Sequence, residues 1–185
     1  LVTLLENSDI VTLHVPLDET TRDMADASFF SHMRQGAFLI NTCRGEVVVE
    51  EDIIAARPRL GPLIIDTWRH EPRINRELMD LADIATPHIA GYSYAGKQNG
   101  TAMAVRAVAR FYGMEPLFEF FPATDVIEEE SVKLDLRGKK QGEIASLIQY
   151  NYPIFTDDFF FRTNPDDFTR LRSEYQYRKE YYVDY

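Results

Sequence analysis

A chain of 185 residues can bury one substantial core or two modest ones, and its 45% hydrophobic, 27% charged composition is that of a globular protein. With 20 Lys and Arg against 30 Asp and Glu the formal charge is -10, which repels a phosphate backbone and argues against nucleic-acid binding. No apolar run approaches the roughly 20 residues that cross a bilayer, and the single cysteine, Cys43, excludes an internal disulfide and fits a reducing compartment, so a cytoplasmic location without membrane contact is expected.

The chain opens on Val2-Thr3-Leu4-Leu5-Glu6, which reads as the middle of a helix without an initiating Met; a longer parent protein is expected. From there to about residue 96, short apolar runs alternate with helical patterns, the signature of β-α-β units around a parallel sheet. Four strands are expected, at Ile10–Val15, Ala37–Asn41, Leu63–Asp66 and Ile84–Thr86, short and apolar as strands buried on both faces should be. Between them, Asp26 can cap a helix ending at Gly36, Glu50–Arg57 supplies a second before Pro58, and Asn75 can cap a third running to about Leu81.

A longer helix is expected over Lys97–Tyr112, stopped by Gly113. Ala102, Ala104, Ala107 and Ala109 would let it pack on two sides, as a connecting helix between domains. After Pro116 aromatic residues crowd the chain, among them Phe118, Phe120, Phe121, Phe159, Phe160, Phe161, Tyr175 and Tyr177. A separate small α+β domain is expected over 116–185, with a strand near Ser131–Leu136 and helices near Gly142–Gln149 and Pro165–Tyr175. So small a domain does not bury that many rings alone, which favours a subunit interface over a loosely exposed core. Glu128-Glu129-Glu130 reads as a solvated turn.

Functional side chains in open parallel sheets gather at the carboxyl ends of strands, where Arg44, Asp66 and His88 all fall. Oxidising a 2-hydroxy acid requires a base within hydrogen-bond reach of the hydroxyl, and His88 is the natural candidate because an imidazole exchanges protons near physiological pH. Glu71 would stabilise its imidazolium. Arg44 would hold the substrate carboxylate, since a planar guanidinium makes two parallel bonds to it. Taken singly, each residue has an ordinary structural reading: a capping Glu, a satisfied polar His, an Arg on a solvated turn. Cys43 reads as a small buried residue. His14, His32 and His70 form no ligand pair, so no metal is expected.

Three blocks in order, Ile40-Asn41-Thr42-Cys43-Arg44-Gly45-Glu46-Val47-Val48, Ile65-Asp66-Thr67-Trp68 with Glu71-Pro72, and Thr86-Pro87-His88-Ile89-Ala90-Gly91, resemble the NAD-using D-2-hydroxyacid dehydrogenases. His14-Val15-Pro16-Leu17 resembles the family's H-x-P-L segment, where the backbone passes the cofactor. The resemblance extends over the first 113 residues. It implies the second half of a doubly wound Rossmann-type α/β fold, followed by the small α+β domain, with segments at 1–96, 97–115 and 116–185. It further implies Arg44 as carboxylate anchor, Glu71 as partner of the acid/base His88, and NAD as cofactor, contacted by Asp66, Gly91 and Val15. Tyr92 would touch substrate.

The tail, through Phe168, Leu171-Arg172, Tyr175, Arg178 and Glu180, resembles an extra dimerisation domain found in one branch of the family, implying a homodimer that acts on a small phosphorylated 2-hydroxy acid. Arg172 or Arg178 would then be candidates to reach the partner's site and its phosphate, against the plainer reading of salt bridges on an exposed helix. Val15 departs from members with a hydroxyl there, and the stretch between Val49 and Leu63 is short for the family. The G-x-G-x-x-G turn, the ribose-binding acid and the N-terminal substrate domain are not among these 185 residues, so the chain alone is expected neither to hold NAD tightly nor to turn over. The alternatives are a phosphoglycerate- or hydroxypyruvate-type dehydrogenase and a non-catalytic, cofactor-dependent assembly protein.

Overall fold

In a computed structural model that describes residues 1–123 and 131–184, the chain forms two compact units. The first comprises Leu1–Ala90 and Ile154–Glu174, the second Gly91–Pro153 and Tyr175–Tyr185. The triple-Glu segment lies outside the described residues.

The first unit carries helix α1 (Val2–Glu6), strand β1 (Ile10–Leu13), helix α2 (Ala27–His32), strand β2 (Phe38–Asn41), helix α3 (Glu50–Ala56), strand β3 (Leu63–Ile65), helix α4 (Arg76–Leu81) and strand β4 (Ile84–Ala85). The strands form one parallel sheet in the order β1-β2-β3-β4, as the alternation of apolar runs and helical patterns requires. In register, Thr12 pairs with Ile40, Ile40 with Ile64, and Ile64 with Ile84. The caps read from sequence operate: Asp26 accepts from the Phe29 N–H at 2.9 Å and Asn75 from the Leu78 N–H at 3.2 Å. Helix α2 ends at His32, short of Gly36. Gly36 instead turns the chain into β2 at φ +78° and donates its N–H to the Arg59 carbonyl.

The second unit holds helix α5 (Tyr94–Tyr112), strand β5 (Ser131–Asp135), helix α6 (Gln141–Asn151) and, later in the chain, strand β6 (Glu180–Asp184), which pairs in parallel with β5. Ser93 caps α5 and Gly113 ends it in the left-handed region, φ +67°. Among the described residues the alanine pattern of α5 is covered along one stripe. Ala102 and Ala109 are buried, whereas Ala104, Ala107, Met103 and Phe111 are exposed among the described residues.

Between α6 and β6 the chain adds two helices, α7 (Ile154–Thr163) and α8 (Phe168–Ser173), to the first unit. The division therefore differs from one continuous domain over 116–185. The reason is a pair of rings: Phe161 and Phe168 are fully buried in the core that also contains Leu39, Ile53, Leu63, Ile65 and Trp68. Phe161 sits 5.8 Å from Trp68 and 5.7 Å from Phe168, centroid to centroid. The aromatic excess of the tail is thus partly spent inside the first unit. Polar contacts fix the same segment. Arg162 donates to the carbonyls of Met79 and Ala82, satisfying the open C-terminal end of α4, and Asp158 accepts the Ala85 N–H on the outer edge of β4.

Phe161→Ala should lower the unfolding free energy by about 3–5 kcal/mol through the cavity it leaves beside Trp68. Urea denaturation followed by the fluorescence of Trp68, the chain's one tryptophan, measures this directly.

Candidate active site

All four parallel strands end at one edge of the sheet, and the sequence-predicted groups of the first unit follow from those ends. Val15 comes after β1, Arg44 after β2, Asp66 after β3 and His88 after β4. Three close approaches between the loops then determine which of these residues meet.

The first is Gly45. A Cβ placed there would lie 2.0 Å from the Trp68 carbonyl carbon, 2.2 Å from its oxygen and 2.3 Å from the Arg69 nitrogen, so only glycine lets the loop after β2 lie against the loop after β3. Arg69 stitches the same two loops by donating to the Val48 carbonyl and pairing with Asp23, while the buried Glu50 carboxylate accepts the Arg69 N–H at 3.0 Å.

The second is Asp66, whose carboxylate is buried at the end of β3. It accepts hydrogen bonds from the Thr86 hydroxyl at 2.7 Å, the Ile89 N–H at 2.7 Å and the Ala90 N–H at 3.1 Å, and its main-chain carbonyl accepts the His88 N–H at 2.8 Å. These bonds wrap the loop after β4 around one side chain and hold His88 at φ +58°, a left-handed conformation uncommon for a residue with a Cβ. Burial pushes the Asp66 carboxyl above the usual carboxylate range, against the opposing pull of those donors and of His88.

The third is the contact between Glu71 and His88. Nδ1 of His88 lies 2.9 and 3.0 Å from the two carboxylate oxygens of Glu71, and Oε1 also accepts the Trp68 N–H at 2.9 Å. A carboxylate can only accept here, so Nδ1 carries the proton and, in the neutral ring, Nε2 is the free base. Both side chains are about one-fifth exposed. Trp68 anchors the whole arrangement, its indole N–H donating to the buried Thr86 carbonyl at 2.9 Å.

The structure thus brings together Glu71, His88 and Asp66. Arg44 stands on the adjoining loop with its guanidinium exposed and donating to the Cys43 carbonyl at 2.6 Å. Val15 is half-buried against the core beyond β1. Gly91 and Tyr92 belong to the second unit. There Tyr92 makes edge contacts with Tyr175 and Tyr177 and carries the Lys97 ammonium 3.9 Å over its ring, and Arg178 stacks on Tyr152 and Tyr175. One residue went unread in the sequence: Thr67, beside Asp66, has a buried hydroxyl without a hydrogen-bond partner among the described residues. Arg172, read from the sequence as a candidate for a substrate phosphate, reaches within 3.9 Å of Glu71 in its own chain. Nothing local in the sequence marks either placement, because both depend on the loops around them.

The model of the family described as D-isomer specific 2-hydroxyacid dehydrogenase, NAD binding domain, matches residues 1–90. The chain is 37% identical to an erythronate-4-phosphate dehydrogenase of Bacteroides thetaiotaomicron, over 96% of this chain and 50% of that protein. The similarity to the erythronate-4-phosphate dehydrogenase of Bacteroides fragilis is also 37%, over 97% and 51%. The chain spans about half the length of the curated relatives it matches. Among solved structures, the D-lactate dehydrogenase of Aquifex aeolicus complexed with NAD and lactic acid is similar at a TM-score of 0.53 and 29% identity, over 69% of this chain and 44% of that one. A glyoxylate reductase from Paecilomyes thermophila shares the fold at a TM-score of 0.53 and 23% identity, over 60% and 36%.

Gly45→Ala should force the two loops apart at a cost of about 1–3 kcal/mol and expose Trp68. A red-shifted emission of that residue under native conditions, together with a lower urea midpoint, is the expected result.

Proposed function

This chain belongs, through residues 1–90, to the D-isomer specific 2-hydroxyacid dehydrogenases, and from that premise we propose that the protein carrying it oxidises 4-phospho-D-erythronate to 2-oxo-3-hydroxy-4-phosphobutanoate with NAD, on the route to pyridoxal phosphate. The observation that supports a reactive site most directly is the Glu71–His88 pair at the carboxyl edge of the sheet, with the imidazole oriented so that Nε2 is its basic nitrogen. The substrate is chosen on the erythronate-4-phosphate dehydrogenases that match along 96% of the chain, the aromatic tail included.

The residues present fit the nicotinamide half of a dinucleotide site. Asp66 and the unpartnered Thr67 hydroxyl lie together at the end of β3, half-buried Val15 follows β1, and such ligands bind outside the carboxyl ends of parallel strands. Gly91 would add a backbone contact. When bound, NAD supplies the acceptor for the hydride that leaves the hydroxyl-bearing carbon. The chain supplies the rest. Arg44 pairs with the substrate carboxylate and fixes that carbon's orientation. Nε2 of His88 takes the hydroxyl proton as the carbonyl forms, and Glu71 stabilises the resulting imidazolium while keeping the ring from turning. Tyr92 is assigned to the substrate and the tail to a homodimer contact, which suits the exposed Phe155, Phe159 and Phe160.

In the intact protein, His88→Asn should reduce kcat/KM for 4-phospho-D-erythronate by about 10²–10⁴-fold, the usual contribution of a positioned acid/base. Arg44→Lys should mainly raise KM. Steady-state rates of NADH formation, run beside 3-phospho-D-glycerate as competitor substrate, check the assignment; a clear preference for the glycerate would replace the substrate while leaving the roles of Arg44, Glu71 and His88 intact.

A further inference from the structure

The segment α7–α8 touches the loop that carries Glu71 and the helix α4 that follows it. Phe161 packs on Trp68, Asp166 pairs with Arg76 at 2.6 Å, and Arg162 binds the carbonyls at the end of α4. Most cations of this region have a carboxylate of their own. Arg162 is paired with Asp158 at 2.9 Å, Arg76 with Asp166, and Arg170 with Asp167 as well as Glu174. Arg172 differs. Its ion-pair partner is Glu71, with 3.9 Å between a guanidinium nitrogen and Oε2, the oxygen that stands 2.9 Å from His88 Nδ1. The Nε of Arg172 is buried without a hydrogen-bond partner among the described residues, so the contact with Glu71 is made by a terminal guanidinium nitrogen.

We propose that Arg172 is a positioning residue of the Glu71–His88 pair: its guanidinium holds the carboxylate that orients the imidazole, and its charge offsets that of Glu71 beside the ring. The physical argument is a balance of signs. Glu71 alone favours the imidazolium, which is useful after the proton has moved and counterproductive before. A cation at the same carboxylate oxygen opposes that preference through repulsion of the imidazolium, while adding a second hold on the orientation of Glu71. Among the described residues the charged groups around the imidazole are Glu71 at Nδ1, Asp66 beneath the loop after β4, and Arg172 from α8. The inference rests on the proposed function only in treating His88 as the acid/base.

The test is an NMR titration of His88 in the 185-residue chain, whose four histidines make the spectrum tractable and whose His88 signal is assigned by its loss in His88→Asn. In Arg172→Gln the midpoint of His88 should rise by about half a pH unit, the size expected for a partly exposed unit charge at this range. Arg172→Lys should stay with the wild type. Arg172→Met, which keeps the apolar stem, serves as a second neutral variant should Arg172→Gln lose its fold. An unmoved or lowered midpoint in the neutral variants overturns the proposal, as does an equal displacement in Arg172→Lys, which would assign the effect to shape instead of charge. Because the readout needs no turnover, a failure of the intact protein on 4-phospho-D-erythronate is a separate result.

Discussion

The geometry of the site depends on one buried carboxylate. Asp66 ends the third strand and gathers the hydroxyl of Thr86 and the amides of Ile89 and Ala90, so a loop that follows a different strand is folded around it. A carboxylate suits this place better than an amide because all its lone pairs accept and the surrounding groups are donors. Its desolvation is the opposing cost, visible in the raised carboxyl. The left-handed backbone at His88 is held by the same bonds, so the unfavourable conformation and the buried charge support each other. Without that anchor, Glu71 and His88 would sit on two loops with no fixed separation.

Trp68 supplies the second constraint, and it ties three separate stretches of chain into one object. Its carbonyl meets Gly45, its amide meets Glu71, its indole meets Thr86, and its ring meets Phe161. Each contact uses a different part of the residue, so a substitution that preserves only the ring's bulk forfeits the rest. The carboxylate anchor sets the loop after the fourth strand, and the indole sets the loop that carries the glutamate.

Much of this was legible in the sequence where the information is local. Short apolar runs alternating with helical patterns located the parallel sheet and its helices, and Asp26, Asn75 and Gly113 marked helix ends because capping chemistry is decided within three or four residues. Glu71 and His88 could be paired in advance on the expectation that they follow successive parallel strands, whose carboxyl ends lie side by side. Helix α7 was not foreseen: Ile154–Thr163 carries Phe159, Phe160 and Phe161 in succession, which gives no amphipathic stripe, and only Phe161 is buried. The same run was read as belonging to a separate domain because nothing in it announces the indole it packs on, more than 90 positions earlier. Strand β6 was missed for a similar reason, since Glu180–Asp184 acquires strand character by pairing with β5. Arg172 was noticed as a cation, but its neighbour Glu71 is a fact of tertiary structure alone.

The discontinuity of the first unit has a consequence for how the chain is made. Synthesis runs from the N-terminal side, and the four strands can pair once the chain has passed Ala85, yet the ring that covers Trp68 and the carboxylate that occupies the outer amide of the last strand are translated some 70 residues later. During that interval a nascent sheet has an open edge and a partly bare indole, features that invite pairing with other chains. Long-range closures of this kind also slow folding, because the intervening segment must be brought round before any contact rewards it. A ribosome-bound chain ending near residue 113 would therefore be expected to depend on holding chaperones, and release of that dependence should coincide with emergence of α7 and α8.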